Sequence, residues 1–147
     1  MRIIAGAFGP NLPERDLRLS PLHAIYHEGN LFEAISLVNG TTIYQEQKTT
    51  HVTYHHIELA NHDILMAEGL AVESFLDTGN KTMFENALGI TTLHPQFRPG
   101  PDAMFCAPLV REGQALDFIR AALTRRAIFI FSENNASHPG VLWRSRI

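Results

Sequence analysis

The stretch Tyr54–Asn80, "YHHIELANHDILMAEGLAVESFLDTGN", decides how the chain is read. It holds His55, His56 and His62, three of the eight histidines, beside Glu58, Asp63, Glu68 and Glu73. "HVTYHHIEL" (51–59) alternates over nine residues. Strand geometry puts Val52, Tyr54, His56 and Glu58 on one face and His51, Thr53, His55, Ile57 and Leu59 on the other. A turn at "ANHD" (60–63) leads into "ILMAEGLAVESFLD" (64–77), which reads as two short strands about Gly69.

Working outward, the residues before this stretch keep the same character. "RIIAGAF" (2–8), "DLRLS" (16–20) and "HAIYH" (23–27) are strand candidates, and "GPNLPERD" (9–16) is a loop by its Gly, Pro and Asn content. "EGN" (28–30) turns the chain into "LFEAISLV" (31–38). Asn39–Gly40 then separates that run from "TTIYQEQ" (41–47), a short-range hairpin signal. About seven short strands at close spacing predict a mainly β unit.

After Asn80 the pattern changes. "KTMFENAL" (81–88) is a short helix candidate, and "HPQFRPGPD" (94–102) reads as a linker. "REGQALDFIRAALTRRA" (111–127) is amphipathic at helical spacing, with Leu116, Ile119 and Leu123 on one face and Ala115, Phe118 and Ala122 widening it. "AIFIF" (127–131) and "VLWRSRI" (141–147) read as closing strands around "SENNASHPG" (132–140). The chain stops at Ile147 without a polar run-out, which is expected of an end cut through a structured element.

Composition narrows the function classes. The 147 residues, 45% hydrophobic and 18% charged, suit a globular domain with a real core rather than a disordered chain. The formal net charge is −3 and the tail arginines (Arg120, Arg125, Arg126, Arg144, Arg146) are few, so no nucleic-acid partner is expected. No secretory signal or membrane-spanning run is visible, which makes cytoplasmic the default expectation, with no membrane partner. The single cysteine, Cys106, forbids an intrachain disulfide and a cysteine-based zinc site. Its apolar neighbours in "MFCAPLV" predict an inert, buried thiol.

The histidines admit more than one chemistry. Strand histidines held by carboxylates and carbonyls are the plain reading. A cupin-like site, with His51 and His55 on one strand face and His62 returned by the turn, is a metal-binding alternative. There is no His-x-Glu-x-x-His on a helix, no Cys/His ligand pairing, and no phosphate-binding loop, dinucleotide fingerprint or nucleophile elbow. Neither a cofactor nor a resident metal is therefore expected.

Two phrases go further. "LSPLHAIYHEGNLFEAISLVNGTTI" (19–43) and the opening stretch together resemble bacterial proteins carrying a Hint domain, the module shared by hedgehog autoprocessing domains and inteins. The resemblance covers Met1 to about Thr82, and "CAPLVREGQALDFIRAAL" (106–123) is similar to the extension that follows the module in that subgroup. It implies a Hint-like domain over 1–82, with the fold of an incomplete β horseshoe, and a helix-containing extension over 83–147.

It also implies a chemistry, an N–S or N–O acyl shift. A Cys or Ser at the first position of such a domain attacks the preceding carbonyl, helped by a Thr-x-x-His motif. The matching positions are Ser20 and His23 in "SPLH", Ser keeping the hydroxyl. His56 and His62 fall in the later family block. The chain departs from the family in its opening strands and nucleophile, which are not found here, and in the closing His-Asn pair, near whose place "VES" (Val72–Ser74) stands. Asparagine cyclisation, and with it splicing, is then not expected. The resemblance thus implies a truncated autoprocessing module, inactive alone, whose activity as an enzyme is open. Sheet edges left bare by missing strands would take up a separate N-terminal Hint segment or a second copy. A β-augmentation binding module is the alternative of a different class.

Overall fold

A computed structural model describes residues 1–46, 55–76 and 105–136 of the chain. Among them are seven short strands, a 3₁₀ helix and one long α-helix. Strands β1 (Arg2–Ile3), β2 (Leu17–Arg18) and β5 (Ile43–Tyr44) form a small antiparallel sheet in the order β2-β1-β5. Strands β3 (Ala24–His27), β4 (Asn30–Glu33), β6 (Ile64–Ala67) and β7 (Leu70–Glu73) form a second one, ordered β4-β3-β7-β6. The molecule is mainly β, as the alternating pattern predicts.

Two glutamate–glycine turns build the second sheet. Glu28 and Gly29 (φ 45° and 83°) join β3 to β4, and Glu68 and Gly69 (φ 51° and 77°) join β6 to β7. Two successive left-handed residues match the twist of the strands they connect, and glycine supplies one of them at little cost. The registers Ile25↔Phe32, Ile25↔Val72 and Leu65↔Val72 line up apolar side chains. Ile25, Phe32 and Val72 are buried there together with Ile3 and Ile43 of the first sheet. Period-two alternation then turns Ala24, Glu33 and Glu73 to the opposite face.

Four expectations need correction. "LFEAISLV" is a strand only to Glu33; Ala34–Leu37 forms the 3₁₀ helix, because Ala34 and Leu37, three apart, are both drawn into the core. The Asn39–Gly40 turn exists but closes no hairpin, since β5 pairs with β1 instead. Its geometry comes from the Asn39 carboxamide, whose Oδ1 accepts from the N–H groups of Thr41, Thr42 and Ile43 at 2.9–3.1 Å. "AIFIF" is helix: α1 runs Gln114–Ala136. Its buried line, Leu116, Ile119, Leu123 and Ala127, keeps helical spacing up to the first residue of the β-prone run, and the helix continues beyond it with Ile128, Phe129 and Phe131 exposed. Phe118 (61% exposed) and Ala115 lie off that line, contrary to the wider face expected.

Residues 55–59 of the long alternating run are extended but join no ladder among the described residues, whereas 51–54 lie outside them. The alternation survives in exposure: His56 and Glu58 are half-buried, and His55, Ile57 and Leu59 are exposed. Phe75 N–H donates to the Ile57 carbonyl at 2.7 Å, which holds this segment beside the end of β7. The helix, linker and strand expected at 81–88, 94–102 and 141–147 also lie outside the described residues.

The segment after residue 104 closes over the second sheet. Leu31 N–H donates to the Pro108 carbonyl and Val110 N–H to the Leu31 carbonyl, both at 2.8 Å. The outer edge of β4 is therefore filled from within the chain rather than left bare. Arg111 secures it, donating to Glu33 Oε1 through Nη2 at 2.8 Å. Beyond it, Leu116, Ile119 and Leu123 of α1 enter the same core as the sheets.

Candidate functional site

The site lies on the face of the second sheet turned away from the core. His23 immediately precedes β3, and its backbone is fixed at both ends. Its N–H donates to the Ser20 carbonyl at 3.2 Å, and its carbonyl accepts from Ala34 N–H at 3.0 Å. The turn made by "SPLH" is therefore a compact unit that delivers Ser20 and His23 to one place. A cavity of about 250 Å³ opens there, lined by Ser20, His23, His56, Glu73, Phe75 and Phe105 among others.

Within it the His23 and His56 rings lie 6.3 Å apart, and His56 meets the Phe75 ring edge-on at 5.3 Å. His23 Nε2 is buried and has no hydrogen-bond partner among the described residues. An unpaired buried nitrogen costs free energy, so in a native structure it asks for an explanation. Burial depresses the basicity of His23 to a pKa of about 4, helped by the neighbouring His56 and His62 and opposed by a hydrogen bond to the Glu73 backbone. Burial also lowers that of His56. His23 is thus a neutral imidazole at pH 7. With Nε2 unpartnered, the Glu73 contact falls to Nδ1, which carries the hydrogen and leaves a lone pair on Nε2.

His62 is placed differently. Its side chain is only 2% exposed, and both ring nitrogens are engaged. Nδ1 accepts from Cys106 N–H at 2.9 Å, and Nε2 lies 3.2 Å from Glu73 Oε2. A backbone N–H can only donate, so Nδ1 must be bare and the hydrogen sits on Nε2, directed to the carboxylate. The Phe105 ring closes over His62 edge-on at 5.6 Å. The structure therefore brings Ser20, His23 and His56 to the cavity, and sets His62 behind it.

Glu73 was visible in the sequence only as one carboxylate among several. Its role in the geometry is larger: Oε1 accepts from Ala24 N–H at 2.6 Å while Oε2 meets His62. Burial raises its pKa, and the hydrogen bond from Ala24 and the His62 ring work against that rise. The available signal was its place at the end of "LAVE", where alternation turns an acid out of an apolar strand toward the histidines. Beside it, Ser74 is buried, with Oγ accepting from Asp63 N–H at 3.0 Å.

Cys106 does not lie buried as its neighbours suggest: the residue is exposed. Its thiol is nonetheless raised in pKa, by partial burial first and then by the charge of Asp63, and this disfavours the reactive thiolate. Of the proposed metal ligands, His55 is exposed and His51 lies outside the described residues. Among the described residues no group of three or more His, Cys, Asp or Glu side chains is arranged to hold a metal ion.

No curated protein matches the chain, and no solved structure does. The family model of the Hint domain matches residues 1–79, which include every strand of both sheets and all the histidines of the site. More than half of the chain is covered, with the "SPLH" turn and the His62 block inside the match: the chain belongs to the Hint domain family.

Proposed function

We propose that this site supports an N–S or N–O acyl shift, the opening step of Hint-type self-processing, with His23 moving the proton. The observation that carries the reading is the buried, unpartnered Nε2 of His23, which shares with Ser20 a cavity of about 250 Å³. In the shift a thiol or hydroxyl attacks a peptide carbonyl, a carbon–sulfur or carbon–oxygen bond forms, and the carbon–nitrogen bond breaks. The nucleophile's proton ends on the departing nitrogen.

A neutral His23 accepts that proton at Nε2. Because its conjugate acid has a pKa of about 4, it gives the proton up readily to a weakly basic amide nitrogen. Ser20 orients the peptide through its hydroxyl. His56, also kept neutral, stands next to His23 and limits the water around it.

Cys106 is the single cysteine, and its exposed, high-pKa thiol lies on the segment that covers the site. Cys106 is therefore not the nucleophile in this reading, which takes a thiol or hydroxyl carried by another segment.

The test begins with the DNA upstream of Met1. The protein is then produced with the in-frame upstream segment and incubated with hydroxylamine or dithiothreitol, with cleavage followed by mass spectrometry. Cleavage ahead of a Cys or Ser is expected, slowed on the order of 100-fold in His23→Ala. Equal rates in the two proteins, or a chain that stays whole, would sink the reading.

A further inference from the structure

The four groups around Glu73 form an unbroken series. Cys106 N–H donates to His62 Nδ1 at 2.9 Å, and His62 Nε2 stands 3.2 Å from Glu73 Oε2. Glu73 Oε1 in turn accepts from Ala24 N–H at 2.6 Å. Ala24 is the residue after His23, so the peptide plane that this carboxylate holds is the one that carries the catalytic ring. The Glu73 backbone also bonds the His23 imidazole. Each carboxylate oxygen has one donor, and each donor belongs to a different part of the fold.

We propose that Glu73 is the positioning residue of this site: its carboxylate locks His62 as the Nε2–H tautomer and, through Ala24 N–H, fixes the His23 ring with Nε2 open to the reacting peptide. This rests on the acyl-shift reading for its effect on rate, but not for its geometry. The bond from Cys106 N–H makes the arrangement sensitive to the covering segment. A ring that had its hydrogen on Nδ1 would face that N–H donor to donor and would present a bare Nε2 to a carboxylate. Both contacts would be repulsive, so the two ends of the series enforce one tautomer.

Ring-nitrogen NMR of the folded protein at pH 7 reads the tautomer directly. His62 is expected as a single Nε2–H form, against exposed His55 as the internal reference. In Glu73→Gln the side-chain carbonyl can still accept from Ala24 N–H, but the amide NH₂ cannot accept from His62. With Cys106 N–H alone left to favour it, the Nε2–H form is then expected to give way to a mixture of the two tautomers. In the protein carrying an upstream nucleophile, processing is expected to slow about tenfold or more, with partial recovery in Glu73→Asp.

A wild-type His62 in the Nδ1–H form overturns the proposal by itself, whether or not the Gln variant folds. So does a Gln variant that keeps both tautomer and rate. A wild-type protein with the expected tautomer but no processing activity overturns the acyl-shift reading alone, and upholds Glu73 as the organiser of the His62 and His23 rings.

Discussion

His23 shows what a single residue costs and does. Its folded pKa, about 4, lies below the ordinary value of 6.5, so the folded state binds the proton less tightly than the unfolded one. The stability linked to this ring is fully present above pH 6.5. It is lost as the pH falls from there to about 4, and changes no further below that. A difference of this size corresponds to roughly 3 kcal/mol over the whole window. Urea midpoints at pH 7 and pH 4.5 should therefore differ markedly in the wild type and much less in His23→Gln. Equal slopes in both proteins would show that the loss comes from other groups.

At the scale of elements, the turn after the 3₁₀ helix depends on one side chain. Asn39 gathers three backbone N–H groups on Oδ1 and donates through Nδ2 to Thr42 Oγ1 at 2.8 Å, and Thr42 is fully buried. Asn39→Ala leaves buried donors unmet and is expected to cost about 2–3 kcal/mol. Asn39→Asp keeps the acceptor and should cost distinctly less. Chemical denaturation of the two variants distinguishes this from a general loop effect, which would make them equal. The dipeptide Asn-Gly was conspicuous in the sequence, yet it does not join paired strands. Its asparagine works as a local acceptor, and β5 finds its partner in β1, about forty residues earlier, where Ile3 and Ile43 meet. Such a pairing leaves no trace in a short sequence window, because the deciding contact is apolar and distant.

On the scale of the whole molecule, α1 is part of the domain core and not an appendage. Ile119 is 2% exposed and packs in one cluster with Ile3, Phe32 and Val72. Ile119→Ala is expected to destabilise by about 2–5 kcal/mol. Hydrogen exchange should then show the sheet amides losing protection together with those of the helix. Loss confined to the helix would mean that the two unfold separately. The same helix begins just after the segment that fills the β4 edge and donates Cys106 N–H to His62. The core and the site are therefore both completed by residues from beyond position 104.

The sequence by itself determined the mainly β class, the two Glu-Gly turns, the buried line through Leu116, Ile119 and Leu123, and the family, through "SPLH" and the block ending "AVES". These are local properties, set by period, by left-handed turn residues and by contiguous motifs. Tertiary structure alone decided the rest. "AIFIF" became helix as the continuation of α1, whose buried line Leu116, Ile119, Leu123 and Ala127 leads into it. His56 and His62 took different places, one on the cavity and one behind it, because the nitrogens of His62 found partners in Glu73 at the end of β7 and in Cys106, 44 residues away. Glu73 gained its place only when β7 came to lie beside β3, and a carboxylate's role is fixed by the donors that fold around it.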